Sequence, residues 1–70
     1  MSVTSNEKEF TATCVVYPET DDLYASDDGY DVFVRTYTRY EEGVEVYLTP
    51  DDAEAFGHWL IARAQELRSR

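Results

Sequence analysis

Over the first two thirds of the chain three runs rich in β-branched and aromatic residues are set apart by polar stretches. In the last third apolar residues recur at steps of three and four, so the pattern predicts strands followed by one helix. Residues 9–17 are rich in β-branched and aromatic side chains and predict a strand ended by Pro18, which has no N–H for a ladder. Phe10, Ala12, Cys14 and Val16 would share one face of it. Residues 30–40 and 44–48 form two further β-rich runs, and Glu41-Glu42-Gly43 between them predicts a hairpin loop with Gly43 at positive φ. Pairing Tyr40 with Val44 would set Arg39 against Glu45, Thr38 against Val46, Tyr37 against Tyr47 and Thr36 against Leu48. One face then carries Val32, Val34, Thr36, Thr38, Tyr40, Val44, Val46 and Leu48, and the other carries Phe33, Arg35, Tyr37, Arg39, Glu45 and Tyr47.

The helix signal begins at Thr49, a capping residue, with Pro50 suited to the first turn and Asp51 and Asp52 complementing the helix dipole there. It runs to about Arg68, and Ala53, Phe56, Leu60, Ala64 and Leu67, with Ile61 beside them, form a stripe that should cover the Val-rich face. Gly57 costs the helix about 1 kcal/mol relative to Ala and suggests close approach of another group. The whole reads as an α+β fold: a three-stranded antiparallel meander followed by one helix on a single face, completed by homodimerisation. Residues 1–8 are expected to be a flexible terminus and residues 9–70 one domain. Seventy residues make dimerisation reasonable, because so short a chain buries only about 60% of its unfolded surface.

Charge changes this picture by being strong and uneven. The net charge is −9; residues 1–54 hold fourteen carboxylates against Lys8, Arg35 and Arg39, while Arg63, Arg68 and Arg70 face Glu66 alone in residues 55–70. Direct nucleic-acid binding is disfavoured, since phosphate contact needs Lys and Arg. Residues 19–29 concentrate Glu19, Asp21, Asp22, Asp27 and Asp28 with Ser26 and Gly29, a composition expected of a long acidic loop. Counting back from Gly29 places Tyr24 where an EF-hand calcium loop needs its first acid, so that motif is absent. One cysteine, Cys14, allows no internal disulfide, and no second Cys or His cluster offers a metal or cofactor site. His58 has no nucleophile or placed carboxylate beside it, so no catalytic residue is assigned. No apolar run is long enough for a membrane span and residues 1–8 lack a signal-peptide core, which points to a cytoplasmic protein.

The candidate partner-binding surface is therefore the outer sheet face with Phe33, Arg35, Tyr37, Arg39 and Tyr47, because aromatic residues and Arg are enriched at protein interfaces. The competing reading is a self-contained sheet, with Arg39 paired to Glu45 and Tyr37 stacked on Tyr47. Trp59, to the side of the helix stripe, suits the core margin or a dimer contact. A second functional reading makes Glu19, Asp21, Asp22, Asp27 and Asp28 a stand-in for phosphates that inhibits a DNA- or RNA-binding protein. A third treats the acidity as an adaptation to molar salt.

Five Arg against one Lys suggest a GC-rich genome. The run Val46-Tyr47-Leu48-Thr49-Pro50-Asp51-Asp52-Ala53 resembles small uncharacterised proteins of actinobacteria and their phages, in which a strand passes through Thr-Pro-acid into a helix. That resemblance implies the strand-to-helix junction and carries no activity with it. The expectation is a non-enzymatic interaction module, a phage or mobile-element accessory protein modulating a host protein from the host cytoplasm.

Overall fold

A computed structural model describes residues 3–40 and 43–70, and only the backbone of Thr4; the expected loop residues Glu41 and Glu42 lie outside the described residues. Strands β1 (Val3–Ser5), β2 (Phe10–Thr13), β3 (Asp22–Asp27), β4 (Val32–Tyr37) and β5 (Val44–Leu48) form one antiparallel sheet, and α1 (Pro50–Arg68) follows. Spatial order equals chain order, so every neighbour is reached by a simple reversal. The α+β class and the order of sheet then helix are as the sequence pattern implies, but five strands are described rather than three.

Two segments account for the difference. Residues 1–8 do not form an unpatterned terminus throughout, because Asn6 makes a turn inside them. Its side-chain carbonyl accepts the N–H groups of Lys8 (2.7 Å) and Glu9 (2.9 Å), and its own N–H donates to the Glu9 carbonyl (2.9 Å). The reversal sets Val3 opposite Ala12 and Ser5 opposite Phe10. The second segment is β3, inside the stretch expected to be an acidic loop. Its acids occupy the strand ends, Asp22 and Asp27, while Leu23, Tyr24, Ala25 and Ser26 alternate between the two faces. Composition obscured a strand whose interior is well suited to pairing with β2 and β4.

β2 stops at Thr13 rather than Tyr17, because residues 14–21 fold into a turn. The Cys14 N–H donates to the Asp21 carbonyl (2.9 Å), and the Asp21 and Thr20 N–H groups donate to the Tyr17 carbonyl (2.9 and 3.3 Å). Val16 thus leaves the shared face expected of it and is exposed, whereas Cys14, half-buried, still lines a pocket with Ala12 and Leu23. The β4–β5 register also differs from expectation: Glu45 lies opposite Arg35, Val46 opposite Val34, Tyr47 opposite Phe33 and Leu48 opposite Val32. The shift is an even number of residues, so each side chain from Val32 to Tyr37 keeps its assigned face. Gly43 has φ +68°, the positive value expected of it.

The helix begins and ends where its signals place it. Thr49 Oγ1 accepts the Asp52 N–H (3.2 Å), Pro50 opens the first turn, and the Ser69 N–H closes the last turn on the Gln65 carbonyl (3.1 Å). Ala53, Phe56, Gly57 and Leu60 approach the sheet face carrying Phe10, Leu23, Ala25, Val32, Val34 and Leu48 and line a cavity with it. A Cβ added at Gly57 would meet no atom within 4 Å, so the close approach expected there is absent.

This apolar contact does not become a closed core. Among the described residues no side chain is buried; Phe56 and Leu60 are each 46% exposed, and Val46 and Ile61 each 56%. Close backbone approach of α1 to the sheet is concentrated at β5. The chain exposes 5706 Å², where a compact monomer of its mass would expose about 4,500 Å². Its radius of gyration is 13.1 Å, against about 11 Å for a compact domain of this length. The fold is an open two-layer structure with surface to spare.

Two substitutions test the helix account. Thr49→Ala should lower stability by about 1 kcal/mol, a Tm decrease of roughly 4–8 °C, whereas Thr49→Ser should hold near the parent value. Gly57→Ala should raise Tm by a similar amount, because it gains helix propensity in open space. Thermal unfolding followed by circular dichroism reads both.

Candidate protein-binding face

The sheet face opposite α1 is built from alternate residues of four strands. β2 supplies Thr11, β3 supplies Tyr24, β4 supplies Phe33, Arg35 and Tyr37, and β5 supplies Glu45 and Tyr47. Tyr24, Phe33 and Tyr47 form an aromatic row across β3, β4 and β5, with ring centroids 6.0 Å apart for Tyr24–Phe33 and 5.6 Å for Phe33–Tyr47. These tilted contacts are the favourable geometry for aromatic pairs. Arg35 crosses the row, its guanidinium 5.6 Å from the Phe33 ring centre and 5.9 Å from that of Tyr24.

Polar contacts hold this arrangement. Arg35 Nη2 donates to Glu45 Oε1 (3.0 Å) and Arg35 Nη1 to Tyr37 Oη (3.2 Å), while Tyr47 Oη donates to Glu45 Oε2 (3.1 Å). Glu45 thereby uses one oxygen for the guanidinium and the other for the phenol. At the far side Tyr24 Oη donates to Glu9 Oε2 (2.7 Å). Arg35 and Glu45 keep side-chain exposures of 31% and 29%, so the pair is open to solvent and its net contribution is modest. Its larger effect is to fix the position of the guanidinium beside the ring row.

Of the five residues expected on this surface, the structure brings together Phe33, Arg35, Tyr37 and Tyr47. Arg39 is not among them, because β4 leaves the sheet after Tyr37. Its N–H donates to Asp21 Oδ1 (3.0 Å), its guanidinium reaches Asp21 Oδ2 (3.8 Å), and that group stacks over the Tyr17 ring at 3.1 Å. Arg39 therefore joins the β2–β3 turn to the β4–β5 connection instead of meeting Glu45. The pairing across the strands belongs to Arg35–Glu45, and the aromatic pair is Phe33–Tyr47 rather than Tyr37–Tyr47. Tyr24 is the member that sequence reasoning missed. Its signal was the short Leu23-Tyr24-Ala25 alternation between acids, masked by the charge around it.

The acidic residues do not make one array. Asp21 and Asp22 lie at one end of β3, Asp27 and Asp28 at the other, about 17 Å away along a strand of this length. Glu19 is in the turn before Asp21. Asp27 Oδ1 accepts the Gly29 N–H (2.9 Å), and Asp28 Oδ1 accepts those of Tyr30 (2.9 Å) and Asp31 (2.8 Å), so these acids organise the β3–β4 turn. Among the described residues no group of three or more His, Cys, Asp or Glu could hold a metal ion, and no helix is long and apolar enough to cross a membrane. Trp59, 58% exposed, stacks beside Phe56 on the helix with centroids 6.4 Å apart.

No family model matches the chain, and no curated protein or solved structure is significantly similar to it.

The hydrogen bonds define pH responses. The Asp31 and Tyr30 N–H groups hold the Asp28 carboxyl below its ordinary value of 3.8. A depressed carboxylate stabilises the fold in full above that value and loses its contribution as the pH falls through the folded-state pKa. Asp28→Asn should therefore flatten the acid limb of a stability–pH curve while keeping the turn. Tyr24 and Tyr47 are both held above the ordinary phenol value of 10.0, chiefly by donating to Glu9 and Glu45 respectively. Their contribution is complete below 10.0 and is lost as the pH rises through the raised values. Ultraviolet titration of the phenolate band should show Tyr47 returning toward the ordinary value in Glu45→Gln.

Proposed function

We propose that the chain is a non-enzymatic protein-interaction module, working as a homodimer and binding a protein partner through the face that carries Tyr24, Phe33, Arg35, Tyr37 and Tyr47. The observation that supports it most is the absence of any buried side chain among the described residues, in a chain with ten aromatic residues. Such a chain gains most of its remaining hydrophobic stabilisation only by association. The aromatic face adds a preorganised patch of the composition that protein interfaces favour, with the Arg35 guanidinium already held 5.6 Å from the Phe33 ring centre.

Basic or mixed-charge protein surfaces are the partners this chemistry suits, since a net charge of −9 attracts them over long range. The phosphate-mimic reading has less support: its acids are divided between the two ends of β3 and several are engaged in turns. A phosphate mimic needs carboxylates repeated along one surface.

Light scattering after size exclusion tests the reading at low and high salt. A dimer is expected, and it should persist or tighten as salt screens the like charge of the two copies. Arg35→Glu should leave that mass and the circular dichroism unchanged while abolishing capture of the protein that wild type recovers from its native lysate. A wild-type chain that stays monomeric near millimolar concentration would overturn the homodimer; unchanged capture by Arg35→Glu would remove the aromatic face as the partner surface.

A further inference from the structure

The two edges of the sheet are unequal. β1, at one edge, has three residues; β5, at the other, has five, three of them apolar, with no proline and no lysine. Natural sheets blunt exposed edges by shortening them or by placing charged residues, Pro or bulges there; β1 follows the first device, whereas β5 carries a single charge, Glu45, on the face opposite α1. Beside β5, on the helix side, an open, mostly apolar groove of 410 Å³ is lined by Val34, Thr36, Val44, Val46, Leu48 and Phe56. Val44 and Val46, on the edge strand itself, are 43% and 56% exposed.

We propose that β5 is the dimerisation edge: it pairs antiparallel with β5 of a second copy about a two-fold axis at Val46, joining the two sheets into one of ten strands. This inference rests on the homodimer reading and specifies its surface. The occupant is a second copy because the surplus surface matches what a copy would cover. The chain exposes about 1,200 Å² more than a compact monomer of its mass, and a standard interface buries about 800 Å² on each partner.

The five-residue sequence of β5 suits this two-fold pairing. With Val46 at the axis, Val44 lies opposite Leu48 of the other copy, so apolar meets apolar on the helix side. Glu45 lies opposite Tyr47, not opposite another Glu45, so the only charge on the strand avoids its own image. An axis perpendicular to the sheet keeps both helices on the same side, where the grooves beside Phe56 become continuous across the axis. The aromatic faces of the two copies then lie together on the other side, free for a partner.

The test uses the special property of position 46, which meets itself. Val46→Lys and Val46→Glu should each weaken the dimer roughly 100-fold by setting like charges together. An equimolar mixture of the two should restore a heterodimer, detected by native mass spectrometry, while Val3→Lys on the opposite edge should leave the wild-type dimer intact. Amide hydrogen exchange on the unmodified protein provides a second readout that does not depend on a variant folding. All β5 amides should be protected in the dimer, because the outward N–H groups bond to the other copy. A wild-type dimer with only alternate β5 amides protected, with Val46→Lys and Val46→Glu still dimeric, or broken by Val3→Lys would overturn the edge assignment while leaving the homodimer in place. A wild-type monomer would overturn both.

Discussion

One helix of nineteen residues has to cover a five-stranded sheet, and it is too narrow to do so. Strands about 4.8 Å apart place the outer two about 19 Å from each other, whereas a helix with its side chains is about 10 Å across. The Phe56 and Leu60 stripe therefore reaches the middle of the apolar face and leaves grooves on its flanks. That mismatch explains why good local patterning, with a capped helix and alternating strands, yields no closed core among the described residues. It also leaves the flanks of the stripe as the apolar surface that the proposed association would cover.

The opposite face solves a different problem. Having no helix to cover it, it is filled by rings that shield one another and by polar atoms that satisfy one another. Glu45 receives both Arg35 and Tyr47, and Glu9 receives Tyr24. A face so held is rigid at low entropic cost and presents a flat guanidinium and phenols to solvent, which are the groups that carry affinity at many protein interfaces. The self-contained network and a binding role are thus compatible: internal hydrogen bonds orient the side chains that would make external contacts.

Most of the local structure was legible along the chain. Thr49, Pro50 and the paired acids marked the helix start because capping depends on nearest neighbours. The face assignments from Val32 to Tyr37 also survived a change of register, since an even shift preserves alternation. What misled was charge. Asp22 and Asp27 gave β3 the composition of a loop although the residues between them alternate as a strand does. Likewise the run of β-favouring residues through Tyr40 concealed the departure of Arg39 toward Asp21 and Tyr17, partners distant in sequence.

The sequence by itself determined the α+β class, the helix and its limits, Gly43 at positive φ and the separation of an apolar from an aromatic face, because each follows from backbone sterics or short-range periodicity. Only the tertiary structure decided the number of strands, the hairpin register, the place of Tyr24 beside Phe33 and the removal of Arg39 from that face. Those features depend on which distant groups satisfy one another: β3 becomes a strand because β2 and β4 supply its ladder partners, and Arg39 leaves the sheet because Asp21 accepts its N–H. Non-local pairing of this kind leaves little trace in local composition, which is why the order of sheet then helix was readable and the strand count and registration were not.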